Sequence, residues 1–355
     1  MKITRVEAIP LSIPYTYGAQ NHFPHIPKLD FCLVRVETDD GIVGWGDAFA
    51  YNCRTAVTAA VRDMIAPKAI GADASKISEL SFQLQKQLHI FGRGGIQAYA
   101  LSGLDIALWD IAGKAAGKPL HALIGGAKRT TIPTYASLLR YAEPKLVAQY
   151  CERALGEGHG AIKLHEIADD AVAAARRAVP ESVPLMCDVN CEWSPRDAIA
   201  AALRFKAHRL HWLEEPVFPP EDLASIRAVG EASGIPIAAG ENYCYSKQFE
   251  MLKESRAVTY AQPSVIKVGG ITEFLRVADM GMQLAPHSPY FGPGALATLH
   301  LIAAKAPEAR FELFYLSAET MLYDGVFGRA TVAVPEGPGL GMDPDPGILK
   351  RYRAG

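Results

Sequence analysis

The stretch GAIKLHEIADD, residues 160–170, contains a short apolar strand that ends in two basic side chains, Lys163 and His165. The segment AVAAARRAV, residues 171–179, follows it with the apolar spacing of an amphipathic helix. Residues two apart on a strand point to the same side, so Lys163 and His165 face one spot and need an anion there. The stretch therefore predicts one strand-and-helix unit with a functional edge.

The same unit recurs from Ile132 onward, because short apolar strands alternate with helical segments. The eight predicted strands are TIPTYAS (131–137), GAIKLH (160–165), VPLMCDV (183–189), RLHWLEE (209–215), IPIAAGE (235–241), VTYAQPS (258–264), MQLAPHS (282–288) and ARFELF (309–314). This regular spacing predicts an α/β fold with a parallel (β/α) barrel over residues 127–325, and a doubly wound open sheet is the alternative. Residues 326–355 are rich in Gly and Pro and are expected to pack back onto another part of the chain.

The chain before this repeat predicts a separate α+β unit over residues 1–126. A strand-like run, Ile3–Ile13, precedes the segment FCLVRVETDDGIVGWGDAF, residues 31–49, which alternates apolar and polar residues around Asp40-Gly41 and predicts a hairpin. A long Ala- and Leu-rich helical segment follows and lies within residues 93–126.

Composition limits the classes of protein. The chain has 355 residues, 49% of them hydrophobic, and a formal charge of −2, which argues against a nucleic-acid partner. It has no apolar run of membrane-spanning length and no long apolar segment near its start, so we expect no membrane association and a cytoplasmic location. The six cysteines form no CxxC pair, and reduced thiols are expected rather than a zinc or disulfide framework.

Acidic residues stand at three successive predicted strand ends: Asp188, Glu214 and Glu241, which are 26 and 27 residues apart. In a parallel barrel such groups converge at one mouth, where like charges raise one another's pKa unless a cation binds among them. Oxygen ligands in this number suit Mg²⁺. The spacing therefore predicts a magnesium site that Lys163 and His165, on the neighbouring strand, also face.

Two further polar residues fall at the last two strand ends. His287, in LAPHSPYFGPG, follows an apolar run opposite the predicted metal, and we expect it to be catalytic. Glu312, in RFELF, is expected either to support a ligand of the site or to act as a general acid.

Four motifs together resemble the mandelate racemase subgroup of the enolase superfamily over essentially the full length of the chain. They are RGGIQAYALSGLDIALWDIAGKAAGKPLHALIGG (93–126), EEP (214–216), GEN (240–242) and IKVGG (266–270). The resemblance implies a (β/α)7β modified TIM barrel under an α+β capping domain that the N-terminal segment and the C-terminal tail form together. It also implies one Mg²⁺ held by Asp188, Glu214 and Glu241, and a homo-oligomer between a dimer and an octamer.

The resemblance also implies that loops at residues 15–27 and 49–54 cap the site and select the substrate. Residues expected from their position or motif to contact the substrate or the metal ligands are His22, His25, Ser137, Asn190, Glu215, Ser264, Lys267, Tyr290 and Glu312.

Two positions depart from the pattern of the subgroup. Many members carry Lys-x-Lys where this chain has Lys163-Leu164-His165, so His165 stands in the place of a base. The subgroup usually pairs its seventh-strand His with an Asp on the sixth strand, and the matching residue here is Ser264. We predict that His165 is the base. The alternative is that His165 binds a substrate hydroxyl while Lys163 or His287 moves the proton.

The resemblance implies Mg²⁺-dependent removal of a proton α to a carboxylate, through a metal-stabilised enediolate. One base on the second strand with His287 as an acid fits dehydration of a polyhydroxy (sugar) acid better than a symmetric two-base racemase. Dehydration of such a small-molecule carboxylate is therefore predicted. Racemisation, epimerisation or cycloisomerisation of a related carboxylate is the runner-up, and a metal-binding family member without catalysis is the alternative of another class.

Overall fold

The computed structural model describes residues 1–17, 28–323, 325–328 and 330–355. The N-terminal elements are β1 (Ile3–Tyr17), β2 (Lys28–Thr38), β3 (Val43–Ala48), α1 (Arg54–Ala59), α2 (Ala66–Ala69), α3 (Ile77–Leu88), α4 (Ile96–Ala116) and α5 (Leu120–Leu123). A π-helical segment, Ala60–Ile65, joins α1 to α2, and a 3₁₀ turn, His89–Phe91, follows α3. The strands β1, β2 and β3 pair antiparallel, which confirms the predicted hairpin.

Helix α4 packs against β3 because glycines let the two backbones approach closely. A Cβ added to Gly46 of β3 would lie 1.8 Å from the carbonyl oxygen of Gly103 in α4, so no side chain fits there. Most residues of α4 are buried, including Ser102 and Asp105. The helix therefore lies between the antiparallel sheet and the rest of the chain.

The parallel strands and their helices make up the second part of the fold. They are β4 (Thr131–Ser137), α6 (Pro144–Gly156), β5 (Ile162–Leu164), α7 (Asp169–Ala178), β6 (Leu185–Asp188), α8 (Pro195–Phe205), β7 (Leu213–Glu214), α9 (Leu223–Ser233), β8 (Ile237–Ala239), α10 (Tyr245–Ser255), β9 (Tyr260–Ala261), α11 (Ile271–Ala278), α12 (Pro293–Lys305) and β10 (Phe311–Phe314). The strand order is β10-β4-β5-β6-β7-β8-β9, all parallel, which confirms the predicted α/β class.

The prediction of a seventh strand over residues 282–288 is wrong. Only a single bridge forms there, between Ala261 and Leu284. The next bond of this parallel ladder would run from the N–H of residue 263 to the Ala285 carbonyl, but residue 263 is a proline and has no N–H, so the ladder ends there. Beyond it, the hydroxyl of Ser288 accepts from the Glu312 N–H at 3.2 Å and donates to the Glu312 carbonyl at 3.3 Å, so a side chain joins this segment to β10.

The barrel interior is layered because side chains alternate along each strand. Tyr135, Met186 and Trp212 belong to a buried cluster nearer the N-terminal ends of the strands. The inward residues two positions further along the same strands are Ser137, Asp188 and Glu214, all buried. The layer with Tyr135, Met186 and Trp212 therefore lies between the carboxyl ends of the strands and the opposite end of the barrel.

The C-terminal segment contacts both parts of the fold. Its elements are β11 (Ser317–Ala318), β12 (Thr331–Ala333) and α13 (Pro346–Arg351). β11 pairs with β1, whereas β12 pairs antiparallel with β4. Asp110 of α4 accepts the backbone N–H groups of Trp45 and Leu340, which ties the tail to the N-terminal unit. The unit boundaries at residues 126 and 325 stay predictions. No helix of the described ranges is long and apolar enough to cross a membrane.

Two histidines stack where α5 meets α12, with ring centroids of His121 and His300 5.4 Å apart. The Nδ1 atom of His300 accepts the His121 N–H at 3.3 Å, and its Nε2 atom lies 3.3 Å from the carbonyl of Leu340. Both contacts are satisfied by a neutral imidazole, which accepts at Nδ1 and donates at Nε2. Burial lowers the pKa of His300 to about 4.

We expect acid to destabilise the parent chain more than a His300→Gln variant. The unfolded chain protonates this histidine below about pH 6.5 and the folded chain only near its lowered pKa, so stability is lost as pH falls through this window, by up to about 3 kcal/mol. Urea unfolding of both chains at several pH values measures the difference in free energy of unfolding. Parallel pH dependences for parent and variant would contradict this assignment.

Candidate active site

Three carboxylates converge at the C-terminal ends of β6, β7 and β8. Asp188 and Glu214 are the last residues of their strands, and Glu241 lies two residues beyond β8. Each side chain offers one oxygen, and these oxygens all lie within 4.8 Å of one another. All three residues are buried. We call this group the carboxylate cluster.

Lys163 of β5 is a fully buried cation that joins the cluster to β10. Its Nζ atom lies 2.8 Å from Oε1 of Glu214 and 2.7 Å from Oε1 of Glu312. The same atom is 3.5 Å from Oδ2 of Asp188. Burial alone would lower the pKa of Lys163, but Glu214 and Glu312 outweigh it and raise that pKa well above its usual value. The ammonium group is therefore held in its charged form.

The electrostatics of the cluster differ between its members. Burial raises the pKa of Asp188, but Lys163 and then His165 outweigh burial, and the pKa is below its ordinary value. Burial is also the largest effect on Glu214, and there it dominates, raising the pKa well above the ordinary value although Lys163 opposes it. Lys163 alone therefore does not offset the burial of Glu214 together with the negative charge of its neighbours.

His165 follows β5 and faces the cluster, as its spacing from Lys163 predicts. Its Nδ1 atom donates to the carbonyl oxygen of Leu138, because a carbonyl can only accept. Its Nε2 atom then points to Oδ2 of Asp188, at 3.3 Å. The side chain keeps 17% of its surface exposed, so a ligand can reach it. Arg140 holds the backbone here, because its Nε donates to the His165 carbonyl at 2.6 Å.

His287 contacts a different member of the cluster. Its Nε2 atom lies 2.9 Å from Oε2 of Glu241, and its Nδ1 atom lies 3.2 Å from the hydroxyl of Ser264. A carboxylate can only accept, so Nε2 of His287 carries a proton in this arrangement. Ser264 and His287, which the sequence analysis expected to be partners, are thus in contact.

Lys267, Asn242 and Glu215 form a second polar chain beside the cluster. Nζ of Lys267 donates to Oε1 of Glu241 at 3.2 Å and to Oδ1 of Asn242 at 2.7 Å. The amide of Asn242 in turn donates to both oxygens of Glu215, at 3.0 and 3.1 Å. The ammonium of Lys267 also lies 4.8 Å from the ring centroid of Phe49. Glu215 thus lies beside the cluster but outside the group of converging oxygens.

Glu312 supports the site from β10. Its Oε1 atom accepts the hydroxyl of Ser137 at 2.8 Å, and its Oε2 atom accepts the Ser288 N–H at 3.1 Å. Burial opposes ionisation, but Lys163 and then His287 outweigh it and lower the pKa of Glu312. Of the two roles predicted for Glu312, these contacts favour support of Lys163. Ser137 is buried beneath it.

The remaining predicted residues lie at the edge of the site or outside the described residues. Asn190 is exposed, and its backbone N–H donates to Oδ1 of Asp188 at 2.8 Å from a left-handed conformation with φ 49°. Tyr290 is buried, and its hydroxyl donates to the His287 carbonyl at 2.9 Å. His22 and His25 fall outside the described residues.

Sequence reasoning missed three residues next to the site. The indole N–H of Trp212 donates to Oε2 of Glu214 at 2.8 Å, and Asn242 links Lys267 to Glu215. Gln262 is fully buried, and neither its amide nitrogen nor its amide oxygen has a partner among the described residues. Counting back two positions from Ser264 along the sixth strand would have identified Gln262 as an inward residue.

Comparison with known proteins supports this arrangement. One family model, "Enolase C-terminal domain-like", matches residues 146–348, and another, "Mandelate racemase / muconate lactonizing enzyme, N-terminal domain", matches residues 18–125. A 3,6-anhydro-alpha-L-galactonate cycloisomerase of Streptomyces coelicolor is 32% identical over 93% of this chain and 94% of its own length. An arabinonate dehydratase of Saccharolobus solfataricus is 29% identical over 92% of this chain and 91% of its own length.

A solved structure of a racemase from Streptomyces coelicolor with bound magnesium is also similar. It is 30% identical in sequence to this chain, with a TM-score of 0.87. The match covers 99% of this chain and 100% of that one. The chain therefore belongs to the mandelate racemase and muconate lactonizing enzyme family of the enolase superfamily. The sequence-based family resemblance is confirmed, and with it the prediction of an enzyme of the dehydratase or isomerase kind.

We expect Mg²⁺ to raise the unfolding temperature of the parent chain and of a Glu312→Gln variant, but not of a Glu214→Gln variant. A ligand that binds only the folded state stabilises it by about 2.7 kcal/mol at about one hundred times its Kd. Glu214 and Glu312 both contact Lys163, but only Glu214 belongs to the carboxylate cluster. Calorimetry of chelator-treated protein, with and without added Mg²⁺, measures the shift.

The matched pair separates loss of a metal ligand from loss of a partner of Lys163. An equal shift in both variants, or no shift in the parent chain, would contradict a metal site at the carboxylate cluster.

Proposed function

We propose that the chain is a Mg²⁺-dependent enzyme that removes the proton α to the carboxylate of a polyhydroxy acid and expels an oxygen leaving group from the β carbon. The observation that carries this proposal is the contrast between two imidazoles. Both imidazoles face a carboxylate through Nε2, Asp188 for His165 and Glu241 for His287. They differ at Nδ1, which the Leu138 carbonyl holds protonated in His165 and which lies beside the Ser264 hydroxyl in His287. One base and one acid are the groups that such an elimination needs.

The residues fit a magnesium ion. Asp188, Glu214 and Glu241 supply buried carboxylate oxygens, the donor type that Mg²⁺ prefers, and their spacing leaves room for a shared cation. When bound, Mg²⁺ would offset the negative charge that develops on the substrate carboxylate as the α-proton leaves.

His165 is the proposed base. The Leu138 carbonyl keeps the proton of the neutral imidazole on Nδ1. In that form, with Nε2 released from Asp188, the lone pair of Nε2 can accept the α-proton. The same hydrogen bond stabilises the imidazolium that forms. Lys163 is unsuited to this step because its carboxylate partners keep it charged, so we assign it to fixing Glu214 and Asp188.

His287 is the proposed acid. With protons on both ring nitrogens, Nδ1 donating to the Ser264 hydroxyl, His287 can pass its Nε2 proton to the departing oxygen and is left as a neutral imidazole. Ser264 holds Nδ1 without adding the negative charge that an aspartate would supply.

Dehydration and ring opening use the same two proton transfers. If the leaving group is a hydroxyl, water departs and the reaction is a dehydration. If it is the ether oxygen of an anhydro ring, the ring opens and the product is an isomer. The similarity to an arabinonate dehydratase favours the first outcome, and the similarity to an anhydrogalactonate cycloisomerase makes the second the alternative.

We expect His165→Asn and His287→Asn variants to fail at different steps. Loss of a general base or acid typically costs about 10²- to 10⁴-fold in rate. In D₂O, His165→Asn should abolish both α-deuterium exchange and product formation. His287→Asn should keep exchange while losing product. NMR of pentonic, hexonic and 3,6-anhydrohexonic acids incubated with each Mg²⁺-loaded variant measures both.

His89→Asn, a change to an exposed histidine in the N-terminal part of the chain, is the control and should match the parent. Full activity of His165→Asn would refute its role as base. Exchange with inversion at the α carbon and no elimination would show an epimerase, and no exchange with any acid would favour a chain without catalysis.

A further inference from the structure

A second cavity, of about 560 Å³, opens at the end of the barrel opposite the carboxylate cluster. Tyr135, Met186 and Trp212 line it, and each lies two positions before Ser137, Asp188 or Glu214, which face the catalytic end. The volume falls within the range of small-molecule sites, about 300–1,000 Å³. The catalytic chemistry proposed above uses none of the residues that face this cavity.

Three aromatic rings form one wall of this barrel-base cavity. The ring centroids of His211 and Trp212 are 5.2 Å apart, and those of Trp212 and Tyr260 are 5.1 Å apart. The Tyr260 hydroxyl lies 3.4 Å from Nε2 of His211, so polar atoms border the ring faces. Flat apolar faces edged with hydrogen-bonding atoms suit the CH face and the hydroxyls of a sugar.

Basic side chains also line the barrel-base cavity. Arg310 is half-buried on its lining and forms no ion pair with any described residue. Burial and then the nearby Arg129 lower the pKa of Arg310, so its surroundings disfavour the charge it carries. Lys305 also lines the cavity. Among the described residues its Nζ atom forms an ion pair with the exposed Asp279 alone, at 3.7 Å. Glu308, an exposed acid on the same lining, has no ion pair with Arg310.

An unpaired, half-buried guanidinium is best satisfied by a carboxylate or a phosphate, which it can bind through two parallel hydrogen bonds. We propose that the barrel-base cavity is a second ligand site, which binds a sugar or sugar-like compound bearing one anionic group. The anion lies at Arg310, with Lys305 nearby, and the sugar body lies against His211 and Tyr260.

This site is separate from the carboxylate cluster, but one residue of the cavity wall forms a hydrogen bond to a member of the cluster. Trp212 forms part of the cavity wall, and its indole N–H is the donor to Glu214. Occupancy of the cavity is therefore measured directly by binding rather than by turnover, so that the result stands whether or not the proposed reaction is correct.

Isothermal titration of the full-length, Mg²⁺-loaded chain with three compounds tests the proposal. They are inorganic phosphate, D-glucose 6-phosphate and D-gluconate, which separate the anion from the sugar body and phosphate from carboxylate. We expect saturable binding of at least one sugar compound, weakened about tenfold or more in Arg310→Met. Tyr260→Ala should weaken binding of that compound towards the level of inorganic phosphate.

Arg204→Met removes an equally charged but exposed side chain from α8 and should leave binding unchanged. If Arg310→Met fails to fold, Lys305→Met serves in its place, with a smaller loss expected. Absence of saturable binding of all three compounds, or binding that survives Arg310→Met undiminished, would overturn the proposal. Binding of gluconate alone that is insensitive to Arg310→Met belongs to the carboxylate cluster and counts against it as well.

Discussion

A fully buried ammonium group, Nζ of Lys163, is the contact on which the catalytic end of the barrel depends. It holds carboxylates from β7 and β10 at 2.8 and 2.7 Å and lies 3.5 Å from a third on β6. Taking these charges out of water costs several kcal/mol per ion, and only close pairing and further hydrogen bonds offset that cost. Removing Lys163 would leave the buried carboxylates of β6, β7 and β10 close together without this cation between them.

The roles of the two histidines follow from their other partners. Each imidazole faces the carboxylate cluster through Nε2, but the partner of Nδ1 differs: a backbone carbonyl for His165 and a serine hydroxyl for His287. A carbonyl fixes which nitrogen carries the proton, whereas a hydroxyl can donate or accept. The proposed division into a base and an acid rests on this asymmetry of the Nδ1 partners.

Much of the barrel could be predicted because its signals are local. The strand Thr131–Ser137 has the predicted bounds, and the spacing of Asp188, Glu214 and Glu241 correctly brought the three residues together. Alternation along a strand also predicted that Lys163 and His165 share a face.

What escaped prediction depends on contacts between distant parts of the chain. The seventh strand looked regular in sequence, but Pro263 of the neighbouring segment ends its ladder with β9, and the Ser288 side chain bonds to β10 instead. The link from Lys267 through Asn242 to Glu215 joins residues 25 and 27 apart, about one strand-and-helix unit each, so the spacing places them on successive units without showing which side chains pair. Gln262 could have been found by alternation, yet its burial without a described partner is visible only once the layers are assembled.

The position of the proton on His165 is the most direct measurement of the central claim. Nitrogen NMR of ¹⁵N-histidine-labelled, Mg²⁺-loaded protein, with His165 assigned by comparison with His165→Asn, reports which ring nitrogen is protonated. We expect the imidazole of His165 to be neutral at the pH of catalysis, with its proton on Nδ1 and a free Nε2. A proton on Nε2, or a doubly protonated ring throughout the active pH range, would contradict it.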